Sequence, residues 1–274
     1  MTLRHILIAV PSMAGVIKTK TATTLIMTMR HLTRTGIDAE YLNIDSSDIV
    51  YARNVFADVV LNSDKLDGLL FVDSDMLFRP QLISRMLALD TPVVAAAYPK
   101  RALDFDQFSR AVAQEGVFTQ ETKNKALSSA YEFTVLPSWR SVKPGPLRVV
   151  RGFAKMAAAG MGCTLISRAA LVDMVDAKVV NPRKDILNGV ERIRWGFFDP
   201  VRVGDISLSE DFSFCYRWTE QMKRDLWVCV DENMTHLGEF PHEARYIDRL
   251  SRTVASSDRQ AELSPQDLDA DPDA

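Results

Sequence analysis

Little in this sequence points to a disulfide scaffold, a zinc site or a membrane span. Only three cysteines, Cys163, Cys215 and Cys229, and four histidines occur among 274 residues. An odd number of widely spaced cysteines supplies neither a disulfide framework nor a paired metal-binding motif, so three buried thiols are expected. The longest apolar runs, such as Ile6 to Pro11 and Val93 to Ala97, fall far short of the ~18–20 residues of a membrane span, so no transmembrane segment is expected. An early Arg4 and a short apolar run open the chain without a small-residue cleavage site, and a cytoplasmic address is expected. Apolar residues at 47% and charged residues at 25% exclude collagen-like and disordered compositions.

The net charge is −3, but the last twenty residues hold six acids against Arg259 alone, so the body without them is weakly basic. Poor in apolar side chains, residues 256–274 are expected to be a disordered acidic tail behind a single domain over 1–255. Between Lys100 and Lys155 stand ten basic and five acidic residues, an excess that attracts anions or forms a solvated face.

Apolar runs and helical spacings alternate from the start. His5 to Val10 reads as a buried strand meeting Pro11, and Leu25, Ile26, Met29 and Leu32 give a helical stripe closed by Gly36. Ala39 to Ile44, Asp48 to Asn62, Leu66 to Val72, Pro80 to Leu89 and Val93 to Ala97 continue as strand, helix, strand, helix, strand. Such alternation implies a mostly parallel sheet with helices on both faces. Residues 100–152 break the pattern with charges, prolines and short β-like pieces, and are read as an inserted β-ribbon. A small-residue run from Met156 to Ile166, helices starting at Arg168 and after Ser209, and a strand from Leu226 complete the domain.

The sharpest local signal is Asp73-Ser74-Asp75, delivered at the end of an apolar strand. An isolated Asp-x-Asp is most often a surface turn. Here the pair falls at the carboxyl edge of a strand, where open α/β sheets bind ligands. Two hard oxygen donors there can hold Mg2+ or Mn2+ and leave positions for water and phosphate oxygens.

Other segments follow in order: AVPSMAG (Ala9 to Gly15), YARN (Tyr51 to Asn54), LLFVDSDM (Leu69 to Met76), AAAYPKR (Ala95 to Arg101), AAGMGCTLISR (Ala158 to Arg168), SEDFSFCYRW (Ser209 to Trp218) and THLG (Thr235 to Gly238). Over roughly residues 4 to 240 this series resembles the nucleotide-sugar glycosyltransferases of the GT-A fold, and is similar to family 2 enzymes and the Anp1-like mannosyltransferases of bacterial or phage type. The resemblance implies a Rossmann-like α/β domain that transfers a hexosyl group from a nucleoside diphosphate sugar, UDP or GDP type, with Mn2+ or Mg2+ as cofactor.

The resemblance also implies roles. Pro11 and Ser12 seat the nucleotide base, Asp45 contacts base or ribose, Arg53 pairs with phosphate and Asn54 holds a loop. Asp73 and Asp75, with Ser74 between them, form the DxD motif, Asp75 being the more direct metal ligand and His236 completing the shell. Lys100 brings a cation towards the donor, and Gly160, Met161 and Gly162 line the sugar pocket or allow tight strand packing. Glu210-Asp211 matches the acidic pair at a helix start that supplies the base in inverting members; Asp211 is the first choice and Glu210 the second. Trp195, Phe197, Phe198 and Trp218 stack on sugar or fill the core.

A sugar nucleotidyltransferase and a non-catalytic nucleotide-sugar binding protein are the alternatives. The former shares substrates and fold class, but expects a glycine-rich loop after Val10 that is missing here. The acceptor stays open among saccharide, protein, small molecule and modified nucleic acid.

Overall fold

Apolar and polar residues sort along each element as the chain alternates between strand and helix. In the computed structural model, residues 3–115, 119–140, 147–187 and 190–238 are described; the tail expected over 256–274 and the domain end expected at 255 lie outside them. The first part comprises β1 (His5–Ser12), α1 (Thr19–Arg34), β2 (Asp38–Asp45), α2 (Ile49–Leu61), β3 (Gly68–Val72), a short β4 (Met76–Leu77), α3 (Gln81–Ala88) and β5 (Val93–Ala96). Next come β6 (Pro99–Leu103), α4 (Phe105–Glu115), α5 (Gln120–Ser129), β7 (Tyr131–Phe133), β8 (Val135–Leu136) and β9 (Val149–Val150). The remainder holds β10 (Phe153–Met156), β11 (Ala158–Ala159), β12 (Cys163–Ser167), α6 (Arg168–Asp176), β13 (Pro182–Leu187), β14 (Val190–Trp195), β15 (Arg202–Val203) and β16 (Ile206–Ser207). It closes with α7 (Glu210–Tyr216), which runs into a π-helical turn at Arg217–Gln221, then β17 (Leu226–Cys229) and β18 (Thr235–His236).

Eight strands form one sheet in the order β2-β1-β3-β12-β5-β17-β10-β9. Six run in one direction, whereas β12 and β10 oppose their neighbours. The fold is thus α/β with a mostly parallel central sheet. Alternation along β1 divides the core: Ile6, Ile8 and Val10 join α1 and α3 on one face, and Leu7 and Ala9 join α2, α6 and α7 on the other. Residues up to Leu237 make one compact unit, and Gly238 begins a second of which only that residue is described.

Several expectations need correction. β1 does not stop at Pro11 but continues to Ser12; β3 has ended its pairing at Ala9, so Pro11 has only β2 beside it and its missing N–H costs little. On α1 the buried stripe is Thr21, Thr24, Leu25, Thr28 and Leu32, with Ile26 exposed, because threonine methyls fill the inward positions. Gly36, at φ 77°, does follow the helix end in the left-handed conformation that glycine adopts without strain. The insertion contains a ribbon, β6 against β7, but between its strands lie α4 and α5 packed on each other. A capping box at Thr119 and Thr122 starts α5, a signal that the charged, aromatic-poor stretch obscured. All three cysteines are free and buried. Among the described residues no helix is long and apolar enough to cross a membrane.

Candidate active site

The carboxyl ends of β1, β2 and β3 share one edge of the sheet, as their parallel register requires. β3 is fully buried to Val72, and the chain turns at once through Asp73, Ser74 and Asp75 into β4. That turn is pinned from three sides: the Lys18 N–H donates to the Ser74 carbonyl at 2.9 Å, Asp73 N–H to Gly162 O at 3.0 Å, and Leu237 N–H to Asp75 O at 2.8 Å. β18 pairs with β4, which sets His236 opposite Met76 and brings the imidazole to the motif from the far end of the domain.

His236 and Asp75 form one half of the site. The Nε2 atom of His236 lies 3.5 Å from Asp75 Oδ2, its Nδ1 is 3.0 Å from the Pro99 carbonyl, and Tyr98 packs edge-on at 5.4 Å. Arg101 Nη1 reaches the same Asp75 oxygen at 3.2 Å. Burial works against charge on both groups, yet the attraction between them wins, with Arg101 adding to it at Asp75. The Asp75 carboxyl is held below its usual range, and the imidazole is pushed above its usual value with help from the Pro99 carbonyl.

The other half is built on α2. Its inward face carries Arg53 and Asn54, both nearly as buried as the Phe56 beside them. Arg53 donates from Nη2 to Asp73 Oδ1 at 3.0 Å and from Nε to Glu210 Oε1 at 3.4 Å, and its guanidinium lies 5.1 Å over the Phe71 ring. Its Nη1 is buried without a hydrogen-bond partner among the described residues. Burial opposes its charge, but Asp73 and Glu210 raise its pKa regardless. Burial likewise pushes the Glu210 carboxyl up, with Arg53 offsetting part of the rise.

Glu210 and Asp211 begin α7 with different partners. One oxygen of Asp211 accepts both the Ser209 hydroxyl and the Phe212 N–H, the latter at 2.7 Å, whereas Ser209 makes no capping bond of its own. Asn54 holds a loop: it donates to Asp199 at 3.0 Å and accepts from the Phe198 N–H at 2.9 Å.

Not every expected residue converges. Pro11 and Ser12 are buried at the end of β1, with Asn43 donating to the Ser12 hydroxyl at 3.0 Å, and Asp45 stands exposed opposite Ser12. Lys100 is drawn to Glu132 at 2.8 Å while its neighbour Arg101 reaches the motif, because successive residues of β6 point to opposite faces. Met161 is fully buried in the core, and Tyr98 fills the room left by the two glycines. A Cβ at Gly160 would lie 2.3 Å from the Tyr98 hydroxyl, and one at Gly162 2.8 Å from its ring, while the Gly162 N–H donates to that hydroxyl at 3.1 Å. Phe197, Phe198 and Trp218 are core residues; only Trp195 keeps partial exposure.

Could this edge hold a metal? Among the described residues no three carboxylate, thiol or imidazole side chains form a ready-made metal centre. Asp75 and His236 nonetheless fit as a ligand pair. They offer hard oxygen and imidazole nitrogen at 3.5 Å from each other, and the Pro99 carbonyl fixes the outer ring nitrogen as metal-binding histidines require. Asp73 faces Arg53 instead.

No protein-family model matches the chain, and no curated protein sequence matches it. Among solved structures, A197 from STIV superposes with a TM-score of 0.46 at 16% identity, over 88% of this chain and 97% of that one. A Drosophila β-1,4-galactosyltransferase 7 mutant in complex with manganese, UDP-Gal and xylobiose gives 0.41 at 11% identity, over 91% and 79%. The inositol-1-phosphate CTP transferase of T. maritima gives 0.40 at 9%, over 93% and 97%. All three scores fall below 0.5, so the chemistry is read from the site's own residues.

Proposed function

We propose that the chain is a metal-dependent glycosyltransferase that moves a hexosyl group from a UDP- or GDP-type sugar to an acceptor hydroxyl with inversion. One observation carries this reading. A hard ligand pair, Asp75 and His236, shares a sheet edge with a buried arginine that binds Asp73 and Glu210 and still has one N–H without a partner.

Asp75 and His236 would hold Mn2+ or Mg2+, while Asp73 on the same turn stays paired with Arg53. When bound, such an ion supplies positive charge that stabilises the departing diphosphate. Arg53 keeps Asp73 and Glu210 in place through two of its nitrogens and adds positive charge beneath the edge where the diphosphate would sit, its Nη1 being buried. Asp211 has one oxygen fixed by Ser209 and Phe212, which aims the second outwards as the base. That oxygen takes the acceptor proton as the acceptor oxygen bonds to the anomeric carbon and the bond to the diphosphate oxygen breaks. Glu210 is committed to Arg53 and positions rather than accepts.

Calorimetric titration of UDP and GDP with and without Mn2+, followed by donor hydrolysis with water in place of the acceptor, tests this. Metal-dependent binding is expected, and Asp211→Asn should retain it while slowing hydrolysis ~10²–10⁴-fold. Equal affinity in EDTA would remove the metal, and full rates in both Asp211→Asn and Glu210→Gln would remove the base.

A further inference from the structure

Helix α2 has a second polar surface beside the one that carries Arg53. Against it packs β14 of the β13–β14 hairpin, and between them lies a cavity of about 210 Å3. Its lining includes three cations, Arg183, Lys184 and Arg194, against one acid, Asp48, together with Tyr51 and Trp195. Sites for drug-sized ligands run to ~300–1,000 Å3, so this one holds a single ring or phosphate-bearing unit and not a whole nucleotide.

Each cation has an acidic neighbour, and Arg194 is buried. Arg194 is 9% exposed and lies 4.8 Å over the Tyr51 ring, with Asp58 of the same helix acting on it electrostatically. Arg183 binds Asp199 through Nε at 2.7 Å, and Asp199 is itself buried and held by Asn54. This contact occupies Nε and leaves the terminal nitrogens, the donors a guanidinium uses for an oxyanion, outside it. Lys184 stands largely exposed, with only a 3.4 Å contact to Glu191. Trp195 offers a partly exposed aromatic surface of the kind on which a sugar ring rests.

We infer that this cleft binds a sugar phosphate, its phosphate on Arg183 and Lys184 and its ring against Trp195. Because α2 also presents Arg53 to the donor edge, the sugar phosphate is the acceptor or the end unit of one; only that assignment rests on the glycosyltransferase reading.

The probe is glucose 6-phosphate, titrated against the full chain by calorimetry and by tryptophan fluorescence, with glucose and inorganic phosphate alongside. Glucose 6-phosphate should bind at least tenfold tighter than glucose. Arg183→Gln and the exposed Lys184→Gln should each weaken it about tenfold, or ~1.4 kcal/mol, the loss of one charge-assisted hydrogen bond. Trp195→Phe should abolish the fluorescence change. Asp75→Asn, which disables the donor edge, should leave this binding intact, so failure here and failure of the donor reading give different patterns. Equal affinity for glucose, no effect of either cation variant, or loss of binding in Asp75→Asn would overturn the assignment.

Discussion

Replacing Arg53 with methionine keeps most of the stem and removes the charge. Arg53 is 3% exposed and stands between two carboxylates whose side chains are 25% and 18% exposed, Asp73 and Glu210. Removing one partner of a fully buried pair costs ~3–5 kcal/mol; both acids keep some water here, which places the loss near ~3 kcal/mol. For a chain of this size each kcal/mol moves the melting temperature by ~2–4 °C, so a drop of ~6–12 °C is expected. Neutralising the more buried acid should recover part of it: Glu210→Gln in the Arg53→Met background should return at least ~1 kcal/mol, read as coupling in a double-mutant cycle. The pH dependence follows. Burial already raises the Glu210 carboxyl, and without Arg53 it rises further. A raised carboxyl favours folding below its unfolded pKa and loses that contribution as pH rises through the folded one, so the variant's deficit should be smallest in acid and grow towards neutrality. Urea unfolding at several pH values measures all of this. A melting temperature within about 2 °C of the parent, or strictly additive costs, would refute the internal counter-ion role.

Gly160→Ala should destabilise by ~2–4 kcal/mol in urea unfolding, because the new methyl meets the Tyr98 hydroxyl. Adding Tyr98→Phe removes the atom it strikes, so the double variant should be more stable than the sum of the two costs; additivity would contradict the contact. With His236 as a proposed metal ligand, protons and metal would compete for its Nε2, whose pKa is raised from the ordinary 6.5 while that of Asp75 is lowered. Mn2+ affinity measured by calorimetry should therefore rise with pH through that raised pKa and then level off, whereas the proton-linked stability of the imidazole is present below 6.5 and lost over the same rise. A flat affinity profile from about pH 5.5 to 8 would exclude His236 as a ligand.

The parallel half of the sheet was legible because β1, β3 and β5 are apolar runs and the segments between them carry helical periodicity. Asp73, Asp75 and Glu210 were legible because chain order alone puts them at strand and helix ends. Arg53 stood out in the sequence as a phosphate partner, but its bond to Glu210 spans 157 residues and has no local signature. Arg101 and Lys100 could not be told apart without the face of β6, which only pairing decides. The hairpin that brings Arg183 and Arg194 to α2 has little signature in the sequence, since its charged residues alternate with few apolar ones and it packs on the helix it meets. Tyr98 against Gly160 and Gly162 has no local signature either: the glycines suggested a ligand, and a side chain from the link between β5 and β6 takes the space.

The antiparallel strand β12 also sets the order in which the molecule can be completed. It wedges between β3 and β5, yet its residues are made some seventy positions after the last residue of β5. Until Ser167 is synthesised, β3 and β5 face each other across an empty lane about two strand spacings wide, ~9–10 Å, with both apolar edges unpaired. A nascent chain halted before Cys163 would therefore leave one edge of β3 and both edges of β5 without the partners β12 and β17 supply, and would be prone to pair with other copies. Closure of that lane is also the event that joins Gly162 to Asp73, so the insertion of β12 and the shaping of the motif turn go together.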